Sequence, residues 1–259
     1  MLLAIDIGNT NVTVGVFQDG KLKTTWRIAT SIHREVDEYA TVLLALLQHA
    51  GISPDKVKQT ALCSVVPPLT ATFEALCRSY LKTEPFVVEA GTKTGVRIMM
   101  DNPREVGADR VVNAAAAKHL YGAPLIVIDF GTATTFDVVS AEGDYIGGVI
   151  CPGLVVGAEA LFTRTAQLPR VELVRPKKVI GKGTVAAMQS GIVYGYVGLV
   201  EGLVARIKAE MHESPKVVAT GGLSGLIARE TKVIDIVDPD LTLVGLKLLY
   251  GINKDKAQQ

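Results

Sequence analysis

The chain opens on a hydrophobic run, Leu2-Leu3-Ala4-Ile5, that stops at Asp6 and turns at Gly8 into Asn9, Thr10 and Asn11. An apolar run ended by a carboxylate, a glycine and small polar side chains predicts a buried strand entering a tight turn. Residues 11–17 then alternate polar and apolar, and Asp19-Gly20 is a hairpin signal, so antiparallel strands are predicted over 2–7, 12–17 and 22–28. Val36, Tyr39, Val42/Leu43 and Leu46/Leu47 recur at helical spacing over 35–50, and Gly51 ends that helix. A strand over 57–65 follows, then a helix opened by Pro67-Pro68 with Leu69, Phe73, Leu76 and Tyr80 facing inward, then a strand over 85–89. Three strands, a helix, a strand, a helix and a strand predict a mixed sheet flanked by helices.

The programme then restarts. Leu125-Ile126-Val127-Ile128 ends at Asp129, with Gly131, Thr132, Ala133, Thr134 and Thr135 in the turn, and a hairpin pair runs on through Val149. A constant offset carries Asp6 onto Asp129, Gly8 onto Gly131 and Asp19-Gly20 onto Glu142-Gly143. Two related domains are expected, 1–117 and 118–259, each an α/β unit. Cys151-Pro152-Gly153 is a turn into a helix, and 168–182 shows weak periodicity and reads as a loop. A long helix is predicted over 183–211, with Gly191, Gly195, Gly198 and Gly202 three or four apart. Such a small-residue face admits close helix packing within the chain, the commoner case, or across a dimer. A strand (216–220), a turn at Gly221-Gly222, a helix (223–230), a strand (233–237) and a closing helix (239–250) complete the pattern.

Composition narrows the partners. The 27 basic and 26 acidic residues balance, which argues against nucleic acid or an anionic membrane as partner. Asp6 interrupts the N-terminal apolar run too early for a signal peptide, and no uninterrupted apolar run approaches the ~20 residues that span a bilayer. Cys63, Cys77 and Cys151 are scattered and odd in number, as expected of reduced thiols in a cytoplasmic protein. The four histidines show no ligand spacing, so no zinc site is expected.

The strand ends carry the chemistry. Gly8 lets an anion approach the backbone, Asn9, Thr10 and Asn11 add donors, and Asp6 suits a hydrated Mg²⁺. Gly131 and Thr132 repeat the arrangement, and the two turns on opposed domains would clamp a polyphosphate. Gly221-Gly222 makes a third glycine turn between a strand and a helix, whose N-terminus would favour an anion. Neither a dinucleotide-binding Gly-x-Gly-x-x-Gly nor a P-loop is present. Between the halves, Pro103 lies near the start of an Ala-rich helix through His119, and Gly107-Ala108-Asp109-Arg110 precedes the buried-looking 111–117. From spacing alone the plainer reading of Asp109 and Arg110 is an ion pair on a solvated turn; the functional one is a carboxylate and a guanidinium at a cleft. Asp129 could merely cap its own turn, and Thr184 could merely cap a helix.

Together these turns resemble the phosphate and adenosine motifs of the superfamily of acetate kinase, sugar kinases, Hsp70 and actin. Asp6–Asn11, Gly107–Arg110, Asp129–Thr135 and Gly183-Thr184 with Gln189-Ser190-Gly191 resemble the type III pantothenate kinases, and the likeness runs from Met1 to about Tyr250. The resemblance implies two ribonuclease H-like (actin-like ATPase) domains, each a mixed sheet flanked by helices, and ATP-dependent phosphorylation of pantothenate, the first step toward coenzyme A. It further implies Mg²⁺, a monovalent cation (K⁺ or NH₄⁺) and a homodimer. By the same resemblance Asp109 is the general base. Asp6, Ile7, Gly8, Asn9, Thr10, Asn11, Val12, Thr13, Gly131, Thr132, Gly221 and Gly222 contact ATP. Met100, Gly107, Ala108, Asp109, Arg110 and Thr184 contact pantothenate, and Asp129 holds the monovalent cation. Met100 departs from the family, which often has tyrosine there, so a phenol hydrogen bond to substrate is not expected. Two other readings remain: a different small-molecule kinase or phosphatase, and a nucleotide-binding regulator without catalysis. Intact Asp6, Asp109 and Asp129 argue against the latter.

Overall fold

The computed structural model describes residues 1–254. The first sheet is built from Leu2–Ile7 (β1), Asn11–Gln18 (β2), Lys21–Ala29 (β3), Gln59–Ser64 (β4) and Pro85–Val87 (β5), with Val36–His49 (α1) and Pro67–Leu76 (α2) between strands. Ala108–Tyr121 (α3) leads to the second sheet: Leu125–Phe130 (β6), Ala133–Val139 (β7), Tyr145–Pro152 (β8), Lys216–Thr220 (β9) and Ile236–Val237 (β10). Its helices are Leu154–Arg164 (α4), Thr184–Met211 (α5) and Ser224–Ala228 (α6), and Leu241–Asn253 (α7) closes the described chain.

The duplication is visible in the strand order. The first sheet runs β3-β2-β1-β4-β5 and the second, read from its other edge, β8-β7-β6-β9-β10. In each, the central strand pairs antiparallel with its hairpin partner and parallel with the next strand. Asp6 therefore stands between Thr13 and Cys63, and Asp129 between Thr135 and Thr220. This is the ribonuclease H-like arrangement, two mixed sheets flanked by helices.

Burial explains why these segments hold. β1 and β6 have helices to pack against and read as near-continuous apolar runs; Leu3, Ile5 and Ile7 meet Tyr39, Leu43, Leu62 and Phe73 in one core. The Tyr39 and Phe73 rings lie 4.8 Å apart. Ile126, Ile128, Phe136, Val200, Val204 and Ile227 form the other core.

The compact units are not two consecutive stretches. Residues 1–95 and 102–116 cluster with α7, while 96–101 and 117–240 form the second unit. α7 belongs with the first because Gly245 sits against Val112 and Ala116, where a Cβ would come within 2.6 Å of Val112 Cγ1. Thr242 also donates to the buried Asn113 at 2.7 Å. The sequence repeat, divided at 117/118, locates the duplication and assigns the last helix to the second half by chain order alone.

Four elements differ from expectation. Tyr80 faces outward, because Cys77–Leu81 winds as a π-helical turn that rotates the stripe and buries Leu81 instead; the Tyr80 hydroxyl donates to Asp37. The strand expected at 233–237 shrinks to Ile236–Val237, and that at 85–89 to Pro85–Val87. Pro103 opens a separate 3₁₀ turn, Pro103–Glu105, ahead of α3. Among the described residues α5 is by length and composition able to cross a bilayer, yet Met188, Ile192, Val193, Val197, Val200 and Val204 are buried along one face of it.

Candidate active site

In the first unit the turn after β1 closes on itself, Gly8 N donating to the Asn11 carbonyl at 3.0 Å. A Cβ at Gly8 would stand 3.1 Å from that carbonyl, tight enough to open the turn. Asn9, Thr10 and Asn11 are exposed, whereas Ile7 and Val12 are wholly buried, so these two can reach a ligand through the main chain only. Thr13 is half-buried, one residue beyond. Thr30, which no sequence pattern singled out, holds the turn from β3's end: its hydroxyl donates to the Gly8 carbonyl at 2.7 Å and its amide to the Thr10 carbonyl at 3.0 Å.

The parallel register places Cys63 beside Asp6. The Cys63 thiol is pushed well up by burial first, and then by the charges of Asp6 and Asp109, so the three side chains form one neighbourhood. Asp109 lies in the first turn of α3, and one carboxyl oxygen accepts the Arg110 amide at 2.8 Å. That oxygen folds back over Gly107, where a Cβ would be only 2.6 Å away, which accounts for the glycine. Burial raises the Asp109 pKa, and the Arg110 amide and guanidinium pull it partly back. This is a desolvated, backbone-anchored carboxylate rather than a solvated ion pair, and a raised pKa makes the ionised form a better proton acceptor.

In the second unit Gly131 N donates to the Ala133 carbonyl at 3.1 Å, repeating the first turn's closure. Two other glycines are packed against it. Gly153 donates its amide to the Thr132 carbonyl at 3.0 Å, and a Cβ there would fall 2.3 Å from that oxygen and 2.5 Å from the Gly131 carbonyl. Gly221, at φ +88, lies over Asp129: a Cβ would meet its Oδ1 at 2.5 Å and Phe130 N at 2.7 Å. The buried Ser224, part of the same glycine turn, donates its hydroxyl to the Gly221 carbonyl at 2.7 Å. Asp129, Gly131, Thr132, Gly153 and Gly221 thus form one constellation, with Gly222 exposed beside it. α6 has only five residues, so the expected helix N-terminus adds little field there.

Thr184 is the first residue of α5, and the N-cap is Gly183, so the helix-cap alternative does not hold. Its exposed side chain lines an open groove of about 750 Å³ between α4 and α5, with Gly153, Leu161, Gly191, Gly195 and Tyr196. Cβ atoms at Gly191, Gly195 and Gly198 would meet nothing within 4 Å. Among the described residues, then, nothing packs against these three glycines. Met100, in the second unit, rests near Gly147, its sulfur 3.8 Å from where a Cβ would stand.

Among the described residues no three His, Cys, Asp or Glu side chains gather to form a metal cage. Single strand-end carboxylates such as Asp6 instead suit cations that take most of their ligands from water and phosphate, as Mg²⁺ commonly does. Asp129, walled in by Gly221, suits a second cation in the same manner.

The family profile described as type III pantothenate kinase matches residues 2–206. A type III pantothenate kinase from Dehalococcoides mccartyi is 55% identical over 253 residues, 98% of each chain. A Baf family protein from Campylobacter jejuni superposes with a TM-score of 0.62 at 19% identity, covering 98% of this chain and 99% of that one. The activator of 2-hydroxyisocaproyl-CoA dehydratase from Clostridium difficile gives 0.53 at 14% identity, over 100% and 96%. Those two likenesses establish the fold.

Proposed function

Since the chain belongs to the type III pantothenate kinase family, we infer that it transfers the γ-phosphoryl group of ATP to the primary hydroxyl of pantothenate, yielding 4'-phosphopantothenate for coenzyme A synthesis. The observation that carries the catalytic assignment is Asp109, a half-buried, desolvated carboxylate fixed by the Arg110 amide. It accepts the hydroxyl proton as the oxygen attacks phosphorus, while Arg110 pairs with the pantothenate carboxylate or steadies the base. Gly107, Ala108 and Met100 shape the remaining contacts with pantothenate. Phosphoryl transfer asks mainly for positioning and charge neutralisation. The glycine turns at Gly8 and Gly131 bring main-chain donors to the phosphates, with Asn9, Thr10, Asn11 and Thr132 adding side-chain donors and Gly221-Gly222 bounding the nucleoside. Asp6 would hold Mg²⁺ and Asp129 a monovalent cation, and these ions when bound would supply the balancing charge. The setting is cytoplasmic, where ATP is made and thiols stay reduced.

ADP release should depend on added pantothenate and on K⁺ or NH₄⁺. Without a cation the Asp129 carboxylate would repel the phosphates by several kcal/mol in partly excluded solvent, roughly the Coulomb energy at intermediate dielectric. Asp129→Ala should weaken ATP binding. Full turnover in Na⁺ buffer with no response to K⁺ contradicts the cation role, and turnover without pantothenate contradicts the substrate.

The active form is a homodimer joined through α5 and the groove beside it. Gly191, Gly195 and Gly198 open onto empty space, and Val155, Val156, Leu161, Phe162 and Val185 are exposed apolar side chains on α4 and α5. A second copy related by a two-fold axis buries such a face most simply. Gly195→Ala should then stabilise the isolated chain by up to ~1 kcal/mol through helix propensity, yet shift sedimentation toward monomer. Thr184 serves an acceptor site shared between copies, so mixing Asp109→Asn and Thr184→Ala chains should restore part of the activity, because one site per heterodimer is intact. No recovery after verified subunit exchange, or an unchanged dimer in Gly195→Ala, counts against the arrangement.

A further inference from the structure

Tyr196, on the middle of α5, belongs to none of the motifs above, yet its phenol reaches the second glycine turn's supports. It hydrogen-bonds with the Thr134 hydroxyl and donates to the Pro152 carbonyl at 2.9 Å. A phenol has one proton and a carbonyl only accepts, so the proton goes to Pro152 and the Thr134 hydroxyl donates into the phenol oxygen. Thr134 is wholly buried, and the phenol satisfies a hydroxyl that would otherwise be costly there. The two anchor points are adjacent rungs of one ladder, Ala133↔Pro152 and Thr134↔Cys151. One rung is a single residue from the Ala133 carbonyl that closes the Gly131 turn; the other is a single residue from Gly153, whose amide holds the Thr132 carbonyl. The Tyr196 ring also lies 6.4 Å from that of Phe130, the residue before the turn.

From this geometry we infer that Tyr196 is a positioning residue for the nucleotide: it pins the ends of β7 and β8 so that the Gly131–Thr132 turn keeps its shape for the ATP phosphates. The inference rests on the reading that this turn contacts ATP. Tyr196 also lines the groove that begins at Thr184, so one helix carries both the acceptor-side threonine and the anchor of a phosphate turn.

Tyr196→Phe keeps the ring against Phe130 and removes only the hydroxyl, so the variant should fold, as its melting temperature will report. Losing one such hydrogen bond should weaken ATP binding about 5-fold in calorimetry and raise KM for ATP in step, with KM for pantothenate unchanged. Thr134→Val should act alike, and Tyr196→Phe/Thr134→Val should be little worse than either alone, because both break the same link. Gly153→Ala serves as the control, since it displaces the turn directly. If Gly153→Ala weakens ATP binding and Tyr196→Phe does not, the positioning role is overturned while the turn's role stands. If Gly153→Ala leaves ATP affinity untouched in a folded protein, the reading of the turn itself fails. Parallel rises in both KM values with a lowered melting temperature would make Tyr196 a purely structural residue and overturn the inference.

Discussion

Asp109→Asn should lower kcat by ~10²–10⁴, the usual contribution of a general base, while ATP affinity stays near that of the unaltered enzyme. The carboxylate sits at the start of α3, away from the glycine turns in sequence, and its neighbours Gly107 and Arg110 are the residues proposed above to meet pantothenate. Asparagine keeps the shape and can still accept the Arg110 amide, so the fold is undisturbed and only proton acceptance is lost. The same residue fixes the acid limb of the rate profile. Burial raises its pKa above 3.8, so activity should fall away as pH drops through a value higher than that of an exposed aspartate. Stability moves the other way: in that window the native state holds the proton more tightly than the unfolded chain, so this group favours folding more as pH falls. Asp109→Asn should abolish both trends. Near-normal kcat, or an acid limb that persists unchanged, removes Asp109 from the role.

Gly153→Ala should be a damaging single methyl addition in the second unit. Its φ of −66 is ordinary, so the objection is steric and not conformational. The new Cβ would overlap the carbonyl oxygens of Thr132 and Gly131 at 2.3 and 2.5 Å, and both belong to backbone that cannot swing aside like a side chain. Overpacking of this kind costs ~1–3 kcal/mol, and here the strain falls on the turn that meets the phosphates. A lowered melting temperature and an ATP dissociation constant raised by ~10-fold or more are expected, that factor being about 1.4 kcal/mol of the strain expressed in binding. Gly157→Ala, four residues on, has open space around its Cβ and should leave the ATP dissociation constant unchanged. Equal behaviour of the two variants would contradict the packing argument.

What the sequence made legible follows from what periodicity encodes. Apolar runs and hairpin signals located both sheets, and the repeated Asp-x-Gly ends placed Asp6 and Asp129 at equivalent positions of equivalent strands. Side chains that act through partners distant in sequence stayed invisible: Thr30 clamping Gly8, Cys63 beside Asp6, and Tyr196 gripping Pro152. The Tyr80 stripe failed because a single π turn shifts every later position on the helix. The glycines of α5 were legible as a small face, but only the structure reveals that among the described residues nothing fills the space beside Gly191, Gly195 and Gly198.

The measurement closest to the central claim is identification of the product. Purified protein with ATP, Mg²⁺, K⁺ and pantothenate should yield 4'-phosphopantothenate by mass spectrometry and phosphorus NMR, one per ADP released, and Asp109→Asn should yield almost none. ADP without phosphorylated pantothenate, or equal product from both proteins, would contradict the account.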